Sequence, residues 1–410
     1  MQNHANNTGP TLPPTLADTL RPLLAEHERA GLMRVRPVFE TPQGVAVRID
    51  GREYLSFCSN DYLGLANDPR VVDALKRGAA RYGVGSGSAS VVAGHYRSHH
   101  ALEEELADFT GRERALLFST GYMANLGIVT ALLGRSDEVF EDKLNHASLL
   151  DAATLSRARL ARYAHVDAAS LGTALVNRST RGRKLIVTDG IFSMDGDLAP
   201  LPALLAASRE HGAWFMVDDA HGIGVLGKNG GGSLERFGLD ANQVPILMGT
   251  LGKALGTFGA FVAGDHAVVE YLMQKARPFT FTTALPPAIA EATRTSLEIA
   301  REEGWRRERL KELIARFRVG ANRLGLPLWA SESPIQPVLI GCTRRATAIG
   351  AALRKRDLFI QAIRPPTVPK GSARLRITFS ALHESEQVDR LLEALGEVFH
   401  VGAIHGRGDS

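Results

Sequence analysis

Residues 214–222 read Trp-Phe-Met-Val-Asp-Asp-Ala-His-Gly. Four apolar residues run without alternation and stop at two acids. That is the pattern of a strand covered on both faces whose carboxyl end meets a ligand crevice in an open α/β sheet. A carboxylate buried there is costly unless a cation faces it. The bland alternative for Asp218 and Asp219 is a helix cap or a structural ion pair.

Outward from this strand, short apolar runs alternate with helical patterns from about residue 98. Strands are expected at Ala115–Ser119, Leu185–Thr188, Ile246–Met248 and Ala260–Ala263. Leu102, Leu106 and Phe109 share a helix face that Gly111 ends. Further helices are expected at Met123–Leu133, stopped by Gly134, and at Leu201–His211. Two-sided apolar strands separated by helices predict a mostly parallel sheet covered on both faces. Near the start, Leu20, Leu23 and Leu24 give a short helix, and the runs 45–49 and 54–57 flanking Asp50-Gly51 read as a hairpin. Pro286-Pro287 opens a long helical stretch with a break near Gly304. Strands at 336–340 and 374–379 with helices near 346–356 and 385–398 read as a smaller α+β part.

The organisation expected is an N-terminal arm and small-domain segment (1–57), a large domain (58–300), a small C-terminal domain (301–400) and a flexible tail (401–410). Residues 1–15, polar and Pro-rich, are expected to be disordered, and the Arg-Gly-Asp triplet of the tail is read as chance. Of 410 residues, 44% are apolar and 22% charged, an ordinary globular composition. A net charge of +4 without a basic stripe argues against nucleic acid. No apolar run reaches about 18 residues, so no membrane span is expected. Cys58 and Cys342 lie far apart and lack metal-ligand spacing, so neither a disulfide framework nor a metal is expected. With no signal-like start, the protein is placed in the cytoplasm. The 41 glycines, 10% of the chain against about 7% usually, are the outlying number. Many fall in 83–94, 121–127, 222–232 and 249–259, loops beside the ends of apolar runs.

Gly222-Ile-Gly224-Val-Leu-Gly227 fits the dinucleotide pattern G-x-G-x-x-G, which must open a helix. The chain continues Lys228-Asn-Gly-Gly-Gly232, which is expected not to begin one, so that reading is set aside. Residues 248–259 place Lys253 among four glycines and two threonines after a strand. A lysine that forms a Schiff base needs such surroundings, because cofactor and backbone approach closely and its pKa must fall. Ser119-Thr-Gly121-Tyr122-Met-Ala-Asn125 joins a strand to a helix and leaves backbone N–H groups free for a phosphate. A phosphate cradle, a lysine and an acid able to hold a ring nitrogen protonated are the requirements of pyridoxal 5'-phosphate (PLP).

With FCSNDYLGL (57–65), GSGSASVVAGHYRSHHALEEELA (85–107), LLFSTGYMAN (116–125), DKLNHASLLD (142–151), GIFSMDGDLAPL (190–201), VDDAHGIGVLG (217–227) and TLGKALGTFGAFVAG (250–264), the chain resembles the α-oxoamine synthase family. These are fold-type I, aspartate aminotransferase-like PLP enzymes, and the resemblance runs from about residue 20 to 398. Ala260 departs from the family's usual second glycine. The resemblance implies that Lys253 carries the cofactor, Asp218 pairs with the pyridine nitrogen and His146 lies over the ring. It implies His221 and Ser193 at the cofactor O3' and phosphate regions, and Gly121, Tyr122 and Thr250 at the phosphate. Thr282 or Thr283 would reach the partner subunit's phosphate across a homodimer interface. Arg376 with Asn60 would bind the amino-acid carboxylate. Arg364 and Arg34 are further carboxylate candidates, and Thr367 would line the acyl channel. AIRPPTVPKGSARLRIT (362–378) resembles the branch that condenses L-alanine with a pimeloyl thioester, carried by CoA or by an acyl carrier protein. The alternative is a sister synthase using glycine or serine.

Overall fold

The computed structural model describes residues 15–178 and 181–405. The Pro-rich start up to residue 14 and the Arg-Gly-Asp triplet lie outside the described residues. Seven strands form the central sheet, in the spatial order Arg114–Phe118, Ala260–Gly264, Ile246–Thr250, Trp214–Asp218, Lys184–Asp189, Glu138–Asp142, Arg159–Tyr163. Only Ala260–Gly264 runs against its neighbours. The other six strands therefore end at the same edge.

Side-chain alternation divides the core between the two faces. Ile186, Phe215, Val217 and Leu247 pack into one apolar cluster, while Leu185, Val187, Met216 and Met248 pack into the other. Each such side chain contributes about 1.5–3 kcal/mol by burial. The second cluster is closed by the helices Gly121–Leu132 and Ala147–Ser156, through Ala124, Ile128, Leu149 and Ala152.

Helix Leu16–Arg29 and the antiparallel hairpin Ala46–Ile49 and Arg52–Ser56 agree with the sequence reading. The hairpin pairs in parallel with Leu358–Phe359, so the chain's beginning joins its C-terminal part. There, Ala373–Thr378 lies between Ile335–Gly341 and Gln361–Ile363. The proline pair starts the helix Pro287–Glu302, and Gly304 separates it from Trp305–Arg323.

Three boundaries are corrected. The helix expected from Met123 begins at Gly121, because Thr120 caps it by accepting the Met123 N–H at 3.1 Å. The last helix runs Ser385–His405, so residues 401–405 continue it rather than forming a flexible tail. A six-residue helix, Gly232–Phe237, does begin on the glycine run. Its N-terminus is taken by Asp219, whose carboxylate accepts the Ser233 N–H at 2.6 Å. A phosphate would meet that carboxylate, so the dinucleotide reading stays set aside. Among the described residues no helix is long and apolar enough to cross a membrane.

Candidate active site

The strand ends gather the chemistry. Phe118 leads to Gly121, Asp142 to His146, Asp189 to Ser193, Asp218 to His221 and Thr250 to Lys253, all at one edge of the sheet. The loop of residues 57–66 crosses this edge, tied to the C-terminal sheet by Thr378 N–H to the Phe57 carbonyl at 2.8 Å. It comes close to the lysine loop: a Cβ on Gly256, whose φ is +64°, would lie 2.4 Å from the Ala66 nitrogen. Only glycine fits both that conformation and that space.

Lys253 Nζ is hydrogen-bonded to His221 Nε2 at 2.8 Å, and His221 Nδ1 to the Tyr62 hydroxyl at 2.8 Å. Burial pulls the lysine amine down to about 8 against the opposing charges of Asp218 and Asp189. Burial, with Lys253 and Arg376 nearby, drives His221 well below its ordinary value, so it is a neutral imidazole. The chain thus has a lysine that loses its proton near neutral pH.

Asp218 accepts the Asn125 side-chain amide at 2.7 Å and the Ala220 N–H at 3.0 Å. Asn125 also donates to Ser148 at 2.9 Å, which links the helices at Gly121 and Ala147 to the buried acid. Asp189 is the direct neighbour of Asp218 in the sheet register and accepts the His146 N–H at 2.7 Å. Burial first, then the Asp218 charge, raises Asp189 well above the carboxylate range. Burial likewise lifts Asp219 to about 7. Of these neighbouring acids, Asp218 is the one held by the Asn125 amide.

His146 is the N-cap of Ala147–Ser156, with Nδ1 hydrogen-bonded to the Ser148 hydroxyl at 2.7 Å. These contacts use one ring nitrogen of His146 and leave Nε2 and the ring face to other partners. Burial lowers its pKa, with Asp218 opposing and Lys253 adding to the effect.

Gly121 and Tyr122 are the first two residues of their helix, whose opening N–H groups have no intrahelical acceptor. The Thr250 hydroxyl donates to the Gly259 carbonyl at 3.0 Å, so reaching a phosphate requires that bond to be exchanged. Thr283 forms a bridge with Ala89, and its carbonyl accepts the Ser119 hydroxyl at 3.4 Å.

Arg376 and Asn60 are brought together, with both guanidinium NH₂ groups donating to Asn60 Oδ1 at 3.2 Å. Arg376 Nε donates to the Ser193 carbonyl at 2.7 Å, so Ser193 meets the site at least through its backbone. Arg34 donates to the Thr367 hydroxyl at 3.3 Å, and Arg364 to the Met33 carbonyl. Arg34, Arg364 and Thr367 line a groove of about 470 Å3 together with Arg36 and Arg354.

The turn carrying Ser193 is closed by Phe192 N–H to the Asp197 carbonyl at 3.0 Å. It is anchored twice, by the buried Arg374–Asp195 pair and by His165, which lies 2.9 Å from both Asp142 and Asp197. Burial lowers His165, but its hydrogen bonds to the two carboxylates outweigh it and raise the imidazole to about 10. Tyr62, Asn125, Asp189 and His165 carry no signal of their own in the sequence. Tyr62 lies in FCSNDYLGL and Asn125 in LLFSTGYMAN, but only the fold reveals their partners His221 and Asp218.

The donor set fits a phosphorylated pyridine aldehyde: a partly deprotonated amine, an open helix N-terminus and a buried carboxylate held by Asn125. Residues 52–395 match the family described as Aminotransferase class I and II. The chain is 60% identical to 8-amino-7-oxononanoate synthase of Stutzerimonas stutzeri (strain A1501), over 93% of this chain and 96% of that one. Serine palmitoyltransferase from S. paucimobilis with bound PLP–myriocin aldimine superposes with a TM-score of 0.91 at 30% identity, covering 95% of this chain and 100% of that one. 8-Amino-7-oxononanoate synthase from Francisella tularensis superposes with a TM-score of 0.75 at 31% identity, covering 85% and 99%.

Proposed function

The chain belongs to the class I and II aminotransferase family, and within it to the 8-amino-7-oxononanoate synthases; from that premise we propose how its residues divide the work. It is a PLP-dependent acyltransferase of biotin biosynthesis. It condenses L-alanine with a pimeloyl thioester to give 8-amino-7-oxononanoate, CO2 and free thiol. In the net reaction, a bond forms between the alanine α-carbon and the thioester carbonyl, and the thiolate leaves. The α-carbon's bond to its carboxylate breaks, and a proton replaces the lost CO2.

PLP, when bound, supplies an electron sink for charge developing at the α-carbon. Lys253 would hold it covalently, and its free amine would take the α-proton, a role its lowered pKa of about 8 supports. Asp218, kept in place by Asn125, holds a proton on the pyridine nitrogen. Gly121 and Tyr122 N–H groups and the Thr250 hydroxyl take the phosphate. His221 and Ser193 would serve the O3' and phosphate regions, and His146 would lie against the ring and hydrogen-bond developing negative charge. Arg376 binds the amino-acid carboxylate with a planar fork that Asn60 already orients. Arg34 and Thr367 border the acyl channel, with Arg364 beside them.

We further propose a homodimer in which Thr282 or Thr283 reaches the partner's phosphate. The exposed Val84, Val92 and Phe281 near these threonines support it. The division into 1–57, 58–300 and 301–400 belongs to the same proposal, and the pairing of the hairpin with Leu358–Phe359 supports grouping the first segment with the last. Unpaired Cys58 and Cys342 suit the cytoplasm. The four arginines of the acyl groove suit either CoA phosphates or an acidic acyl carrier protein as thioester carrier.

The observation that carries this reading is the buried Lys253 amine beside neutral His221 and the Asn125-held Asp218. The test is thiol release by the PLP-loaded protein with pimeloyl-CoA and alanine, glycine or serine. Alanine is expected to be preferred, with 8-amino-7-oxononanoate as product. Preference for serine or glycine would transfer the protein to a sister synthase.

A further inference from the structure

Outside the lysine site, His95, His100 and Glu103 form a second cluster at the start of the helix Arg97–Phe109. We propose that these three side chains bind a divalent transition metal of the zinc class. His100 and Glu103 are three residues apart on the helix and so share a face, and His95 approaches from the segment before it. One ligand atom from each lies within 4.8 Å of the others, with His95 Nε2 4.0 Å from Glu103 Oε2. Zinc bonds of about 2.0–2.2 Å in tetrahedral geometry place neighbouring ligand atoms about 3.4 Å apart. Side-chain rotation of the two partly exposed histidines covers that difference.

Glu103 is the fixed member. Its Oε1 accepts the Leu117 N–H at 3.1 Å, which leaves Oε2 for a cation. Glu104 lies 3.3 Å from His100 Nε2 and orients that ring, as outer carboxylates do for metal-bound imidazoles. His99 is excluded, because its two nitrogens serve the Leu285 carbonyl and the Tyr96 N–H. Arg114 lines the same cavity, but its charge is offset by Glu270 at 2.5 Å. The cavity of about 230 Å3 beside the cluster leaves room for water in the remaining coordination position. Two imidazoles and one carboxylate with an open position favour zinc over magnesium or calcium, which prefer all-oxygen sets. The proposal does not depend on the condensation reading.

The test is titration of metal-stripped, PLP-loaded protein with Zn2+ against a chromophoric chelator. One Zn2+ per chain is expected in the native protein and none at comparable affinity in H95A/H100A. Glu104→Gln should weaken binding about 10–100-fold. Glu103→Gln, which keeps an acceptor for Leu117, should weaken it more. Co2+ in place of Zn2+ should give visible absorption bands that the double variant lacks. Both histidines are at least partly exposed, and thermal unfolding of each variant checks that the fold is kept. Failure of the native protein to bind stoichiometrically, or equal binding by the double variant, would overturn the proposal.

Discussion

Replacing His165 by Asn removes a cation held between two carboxylates, and the cost can be worked from the structure. Its folded-state pKa of about 10 lies above an ordinary 6.5, so the folded protein binds the proton more tightly. The sign follows: the contribution is full below pH 6.5 and is lost as the pH rises towards 10. At about 1.4 kcal/mol per pH unit of that gap, the full contribution is about 5 kcal/mol, falling by about 2.5 kcal/mol between pH 7 and 9. Urea unfolding of native protein and His165→Asn at both pH values measures it. The stability difference should be largest at pH 7 and shrink by about 2.5 kcal/mol at pH 9. A difference that stays constant with pH would refute a charged His165. Because Asp197 closes the turn whose Ser193 carbonyl holds Arg376, the KM for alanine should also rise.

Asn125→Leu leaves the buried Asp218 without its amide donor. A lost hydrogen bond to a charged group costs about 1.5–3 kcal/mol, so PLP affinity measured by fluorescence should fall at least tenfold. Arg376→Lys keeps the charge but loses the fork, and should raise KM for alanine more than it lowers kcat in steady-state assays. In PLP-free protein, burial makes the charged Lys253 costly. With its pKa lowered to about 8, that cost is present below pH 8 and disappears as the pH rises to 10.5. Lys253→Met should therefore stabilise PLP-free protein by about 3 kcal/mol at pH 7 and by little above pH 10.5, read by denaturant unfolding.

Much of this site is legible in the sequence because its members follow apolar strands. Phe-Met-Val before Asp218 and the glycines around Lys253 announce themselves without partners. The strand Glu138–Asp142 does not, because three of its five residues are acidic although all five are buried. An apolar pattern cannot register such a strand, in which Asp142 is paired with His165 and Glu138 with Arg159. Asn125 and Tyr62 are ordinary polar residues until folding brings Asp218 and His221 within hydrogen-bond distance across 93 and 159 positions. His146 illustrates the other limit. Folding gives it a helix to cap, and one ring nitrogen does so by accepting the Ser148 N–H at 3.3 Å while the rest of the ring stays available.

The most direct test of the account is borohydride reduction of the PLP-loaded protein, followed by digestion and mass mapping. A pyridoxyl group fixed on the peptide containing Lys253, and absent from Lys253→Ala, is the predicted result. A pyridoxyl group on another lysine, or a reducible linkage surviving in Lys253→Ala, would contradict it.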